Sequence, residues 1–206
     1  MSAANVAAAI LAGGGGTRMG AGVVKGLLAV DGQRIIDRQL AVLRPLFAEV
    51  VIAGNDPEPW AGLGLRVVPD RRPSDQIGPI AGLDAILAAL APTIDAVVCV
   101  AGDMPFLAPA LLERLRDAAP AGSALVPRVA GRAEPLLARY ARAVAPVVVD
   151  QIADGRYAMV DLLARLGAGV VWIDEPALRT LDPELRSIAN INTPADLAAL
   201  AAAKKA

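Results

Sequence analysis

The sequence predicts an α/β fold, a single Rossmann-like domain over residues 1–206 with a mostly parallel sheet flanked by helices. Three observations carry that reading. Short apolar runs alternate with longer segments of helical periodicity. The runs at 6–11 and 96–101 carry no charge, as strands covered on both faces do. Hydrophobic residues make up 55% of the chain but aromatics only 3%, so the core is built of Ala, Val, Leu and Ile, which suit helices packed on a sheet. At 206 residues, the chain can bury one sizeable core.

In chain order, residues 6–11 form a buried strand that ends in glycines. Residues 35–43 have apolar positions at helical spacing and stop before Pro45, which cannot donate within a helix. Residues 49–53 and 65–68 are strands, separated by a Gly/Pro-rich stretch. A helix over 80–90 ends ahead of Pro92, and 96–101 is a second central strand. A helix follows over 108–118, and strands over 123–128 and 136–140 lie around a turn at Gly131. Helices over 143–153 and 159–166 precede a strand over 169–173. The last helix starts at Thr193, a good N-cap, with Pro194 in its first turn and Asp196 near the exposed amides.

Composition excludes several function classes. The chain has no histidine, which removes imidazole bases, Ser-His-Asp catalysis and His-ligated zinc. Its single cysteine, Cys99, allows neither a disulfide within the chain nor a multi-cysteine metal site, and within the apolar run 96–101 it reads as a small buried hydrophobe. The net charge is -1 with scattered cations, against a nucleic-acid surface. No stretch reaches the roughly 18 to 20 apolar residues of a spanning helix. The N-terminus has no basic segment of the kind that opens a signal peptide, so a soluble, cytoplasmic protein is expected.

Four segments carry chemistry. In Leu11-Ala12-Gly13-Gly14-Gly15-Gly16-Thr17-Arg18-Met19-Gly20, followed by Lys25, four glycines come directly after a buried strand. Glycines are entropically costly, and their use here is a backbone that can wrap an anion with its N–H groups. Arg18 and Lys25 supply the cations that amides alone cannot. The spacing matches neither the dinucleotide fingerprint nor the P-loop, since Ala21-Gly22 stands where the P-loop has Lys-Ser/Thr. In Gly102-Asp103-Met104-Pro105-Phe106, Asp103 follows a central strand, where open α/β sheets bind ligands. Magnesium prefers one or two carboxylates plus phosphate oxygens and water, which makes Asp103 the candidate Mg²⁺ ligand. Asp70 follows another strand, ahead of Gly78-Pro79-Ile80-Ala81-Gly82. Asn190 and Asn192 alternate on a short strand and point the same way, although helix capping accounts for much of that stretch.

Taken in order, these segments and Glu134-Pro135-Leu136-Leu137 resemble the molybdenum cofactor guanylyltransferases (MobA), within the wider group of nucleotidyltransferases that share the glycine loop. The resemblance implies a nucleotide-diphospho-sugar transferase-like fold and transfer of GMP from GTP to the phosphate of molybdenum-loaded molybdopterin, with release of pyrophosphate. It also implies GTP and molybdopterin as partners, with molybdoenzymes or their chaperones receiving the product. By the same resemblance, Leu11, Ala12, Gly13 and Gly14 contact guanine and ribose, Lys25 the phosphates, and Asp103 the Mg²⁺. Asn55 and Asp70 line the nucleotide site, while Asn190, Asn192 and Arg156 face the pterin.

The chain departs from the family pattern at Val24, where an Asp usually precedes the loop lysine, and at Gly102, where a Cys commonly precedes the Asp. Gly-Asp-x-Pro also suits the molybdopterin cytidylyltransferases, but Gly13 fits the guanylyl pattern better than theirs. Cytidylyl transfer to molybdopterin, transfer to a sugar or alcohol phosphate, and a non-catalytic nucleotide-binding protein stay open at the level of sequence.

Overall fold

The structure is a computed structural model, and it describes residues 5–12, 23–72, 77–118, 122–191 and 196. Its centre is a sheet in the order β10-β7-β9-β6-β1-β4-β5, with a short β8 paired to β7. The strands are β1 (Val6–Leu11), β4 (Val50–Ala53), β5 (Arg66–Val68), β6 (Ala96–Ala101), β7 (Ala124–Val129), β8 (Arg132–Ala133), β9 (Leu137–Ala141) and β10 (Val170–Asp174). All pairings along the main path are parallel except those of β9, which runs against both β6 and β7.

Period-two alternation splits the core between the two faces of the sheet. Ala7, Ala9, Val51, Val97 and Cys99 pack with α2 (Pro79–Ala89), α4 (Ala145–Ala153) and α5 (Met159–Leu166). Ala8, Ile10, Ile52, Val98 and Val100 pack with α1 (Ile35–Leu46), α3 (Pro109–Asp117) and α6 (Glu175–Leu181). Both central strands are therefore buried on each side, which is why they contain no charge. Small residues allow close layering: a Cβ on Gly82 of α2 would stand 3.2 Å from Ala53 Cβ and 3.4 Å from Leu11 Cδ2.

Several expectations need correction. The first helix passes through Pro45 to Leu46. Pro45 falls in the final turn, and its missing donor affects only the carbonyl of Ala41, which is exposed. The end is closed by Phe47 N donating to Leu43 O. Gly131 does not join the two long strands. With Ala130, also at positive φ, it makes a two-residue turn from β7 to β8, and β9 then returns between β7 and β6. The helix expected over 143–153 begins as a 3-10 turn at Arg142–Val144.

Two elements go beyond the sequence reading. A hairpin, β2 (Ala29–Val30) with β3 (Gln33–Arg34), turns at Asp31-Gly32, both at positive φ. Helix α6 follows β10 directly, with Pro176 in its first turn and Arg179 paired to Glu175 one turn earlier. The terminal helix from Thr193 lies outside the described residues, apart from Asp196, which is helical. Among the described residues, no helix is long and apolar enough to cross a membrane.

Candidate active site at the switch between two central strands

From β1 the chain steps outward to β4 and then β5, and it returns on the other side of β1 as β6. The gap between β1 and β6 is thus a topological switch point, and open α/β sheets bind ligands beyond the C-terminal strand ends there. β1 ends at that edge with Leu11, and Asp103 leaves β6 beside it. Gly102 N donates to Leu11 O at 3.0 Å, and a Cβ on Gly102 would meet Leu11 O at 3.3 Å and Ala12 Cα at 3.4 Å. A glycine before Asp103 therefore lets the two strand ends stay in contact.

Lys25 begins a 3-10 turn, Lys25–Leu27, and its Nζ donates to Asp103 Oδ2 at 2.9 Å. The ion pair is mostly shielded, with the lysine side chain 24% and the aspartate side chain 16% exposed. The next residue, Gly26, is wedged between Trp60 and the end of β6. A Cβ there would stand 3.0 Å from Trp60 Cη2 and 3.5 Å from Gly102 O. Trp60 is buried in the 3-10 turn Glu58–Trp60, within the stretch the sequence marks as a Gly/Pro-rich loop.

The Asp103 turn is held by backbone and side chain alike. Met104 N donates to Ala101 O at 3.3 Å, and Ile191 N donates to Asp103 O at 3.0 Å. Buried Gln39 of α1 donates to both Ala101 O and Met104 O, at 2.8 and 3.0 Å. Neither Trp60 nor Gln39 was singled out from sequence. The available signal for Gln39 is its position in the apolar stripe of α1, where an amide is out of place.

The remaining sequence candidates fall into five groups. Asn55 and Asp70 come together past the ends of β4 and β5. Asn55 Nδ2 donates to Asp70 Oδ2 at 3.0 Å, and Asp70 N donates to Asn55 Oδ1 at 2.8 Å. Arg71, next in the chain, pairs with buried Asp84 of α2 at 3.1 Å. Leu11 turns its side chain into the core against α2, while Ala12 N donates to Ala53 O at 3.0 Å. Asn190 is exposed and lies in an irregular segment rather than on a strand, one residue ahead of the Ile191 amide that holds Asp103. Its neighbours explain this: Arg186–Ile188 form a 3-10 turn, and buried Ile191 anchors the segment beside Val30 and Ile35. Arg156 is on the loop between α4 and α5 and is paired with Asp161. Gly13, Gly14, Arg18 and Asn192 lie outside the described residues.

Other groups take no part in this edge. Cys99 is fully buried in β6, and desolvation pushes its thiol up to about 12, as suits a packing residue and not a nucleophile. Among the described residues, no cluster of three or more acidic or cysteine side chains could cage a metal by itself. A cation at Asp103 would therefore share one carboxylate with substrate oxygens and water, a donor set that magnesium accepts.

Comparison with known proteins agrees with this geometry. Residues 8–169 match the MobA-like NTP transferase domain. The molybdenum cofactor guanylyltransferase of Rhodobacter capsulatus is 38% identical over 195 residues, covering 94% of this chain and 93% of its own. The probable molybdenum cofactor guanylyltransferase of Pelotomaculum thermopropionicum is 34% identical over 188 residues, covering 91% and 88%. The crystal structure of molybdopterin-guanine dinucleotide biosynthesis protein A from Archaeoglobus fulgidus superposes with a TM-score of 0.80 at 32% identity, over 97% of this chain and all of that one. On its fold, the placement of its strand ends and these similarities, the chain belongs to the MobA-like NTP transferases and, within them, to the molybdenum cofactor guanylyltransferase family.

Proposed function

We propose that this protein transfers GMP from GTP to the phosphate of molybdenum-loaded molybdopterin, releasing pyrophosphate. The observation that carries the reading is the Lys25–Asp103 pair, 2.9 Å apart at the switch between β1 and β6. It joins one cation and one carboxylate at the strand-end edge where open α/β sheets bind ligands. Relatives over 30% identical across nearly the whole chain supply the choice of GTP and molybdopterin.

The chemistry suits a chain without histidine. A phosphate monoester is already anionic near neutral pH, so its attack on the α-phosphorus needs no strong general base. Catalysis then consists of alignment and charge neutralisation. Lys25 and Arg18 are assigned to the phosphates, and Asp103 to Mg²⁺. When bound, the ion supplies positive charge to the departing pyrophosphate. Asn55 and Asp70, locked to each other, are assigned to one wall of the nucleotide site, and Asn190 with Asn192 to the pterin side.

Pyrophosphate release, assayed with GTP, CTP and ATP against molybdenum-loaded molybdopterin in the presence of Mg²⁺, tests the assignment. Turnover with GTP well above that with CTP and ATP is expected. Faster turnover with CTP would make this a cytidylyltransferase. Tight GTP binding without pyrophosphate release would make it a binding protein.

A further inference from the structure

Gln39 lies on the buried face of α1 with Ile35, Ile36, Leu40 and Leu43, and it is fully shielded from solvent. Its two carbonyl partners, Ala101 O and Met104 O, bracket Gly102 and Asp103. Both are acceptors, so only the NH₂ end of the amide can face them. The other end, Oε1, has no hydrogen-bond partner among the described residues. A buried acceptor left unmatched is a cost that an apolar residue of similar volume would avoid. Packing alone therefore does not account for glutamine here, whereas tying the two flanks of the Asp103 turn does.

We propose that Gln39 is a positioning residue for Asp103: bonded to the carbonyls on either side of it, the Gln39 amide sets the turn that presents the carboxylate toward Lys25. This inference rests on the nucleotidyl-transfer reading of the site. Removing the amide frees the 101–104 turn, and the Asp103 carboxylate with it, to shift while leaving that carboxylate chemically intact. The expected loss is in turnover more than in nucleotide affinity, because alignment matters most in the transition state.

The test uses Gln39→Met, which keeps the volume and deletes the donor, and Gln39→Glu, which keeps the shape but sets a carboxylate against two carbonyls. Gln39→Met should lower kcat for pyrophosphate release by about tenfold or more while changing the KM for GTP by about twofold or less. Gln39→Glu should regain activity relative to wild type as pH falls, because a protonated carboxyl can again donate to one carbonyl. Hydrogen exchange at the Met104 amide should quicken in Gln39→Met, a readout that needs no turnover. Wild-type kcat in Gln39→Met, or unchanged exchange at Met104, would overturn the positioning role. Absence of pyrophosphate release from the wild-type protein would instead overturn the functional reading, and the exchange measurement would then decide alone whether Gln39 holds the turn. Should Gln39→Met fail to fold, the pH profile of Gln39→Glu carries the test, and a profile parallel to wild type would overturn the proposal.

Discussion

Lys25 Nζ stands 2.9 Å from Asp103 Oδ2 across a separation of 78 residues, and this pair joins the segment after the glycine run to the segment after β6. Each side chain is shielded enough that its charge acts in a medium less polar than water. Preorganised charges of this kind are worth roughly 3 to 4 kcal/mol each at a transition state in other enzymes. Lys25→Ala and Asp103→Asn should each lower pyrophosphate release by about a hundredfold or more. On the roles proposed, both act on one leaving group, so the double variant should lose far less than the product of the single losses. Circular dichroism should show both variants folded, at a cost of about 1 to 3 kcal/mol, because each leaves its mostly shielded partner without this counter-charge. Near-normal turnover in either single variant would contradict the site assignment.

Gly26 is confined by Trp60 on one side and Gly102 O on the other. A methyl group at 3.0 Å from the indole ring requires the Lys25–Leu27 turn or the ring to move, and the ring is buried. Gly26→Ala should therefore displace Lys25 and lower kcat by about tenfold, the scale of a modest misalignment. Trp60→Phe in the same chain should restore part of the loss by vacating that space. No recovery in the double variant would show that the alanine acts elsewhere.

Much of the sheet was legible because its central strands are apolar on both faces and end in glycine, features that composition displays directly. Asp103 and Asp70 stood out because each follows a strand end, Lys25 because it follows the glycine run, and Asn55 only through the family resemblance. The misses have local causes. Pro45 looked like a stop, yet a proline in the last turn leaves an exposed carbonyl to water. Helix α6 is only seven residues long, too short for a periodic pattern to stand out. Gln39 and Trp60 act through contacts 62 and more residues away or across a loop, and spacing along the chain carries no trace of such partners. The Asp31-Gly32 turn did have a sequence signal, a hairpin dipeptide flanked by Val30 and Gln33.

Asp84 is buried in α2, and its carboxylate meets the half-exposed Arg71, which follows Asp70 in the chain. Arg71→Ala leaves a buried carboxylate without that partner and should cost about 1 to 3 kcal/mol of stability. Asp84→Asn removes the buried charge and keeps an acceptor for Arg71, so its cost should be smaller. Urea unfolding of the two variants checks the order. Equal or reversed costs would show that Arg71 contributes nothing to holding Asp84.

Burial pushes the Cys99 thiol up to about 12, far from conditions where thiolate forms at neutral pH. The folded protein should leave a disulfide reagent such as dithionitrobenzoate unreacted at about pH 8, and one thiol per chain should react once denaturant is added. Cys99→Ala should retain turnover, because the residue faces the helix layer rather than the ligand edge. Rapid labelling of the native protein would place the thiol at an opening that the packing of β6 does not provide.

Glu134 lies in the turn before β9, at the same edge of the sheet as Asp103, and there desolvation raises its carboxyl pKa while Arg132 opposes the rise. The folded chain therefore keeps this proton to a higher pH than the unfolded chain does. As pH climbs from the ordinary value of 4.5 through the raised one, the folded state binds more protons than the unfolded state, so stability declines. Glu134→Gln removes the ionisation and with it that decline. Urea unfolding from about pH 4 to pH 7 should show the variant gaining on wild type as pH rises through this window, with the difference levelling off once Glu134 is fully ionised. A difference that stays constant over the range would mean that Glu134 titrates alike in both states and that its burial carries no electrostatic cost.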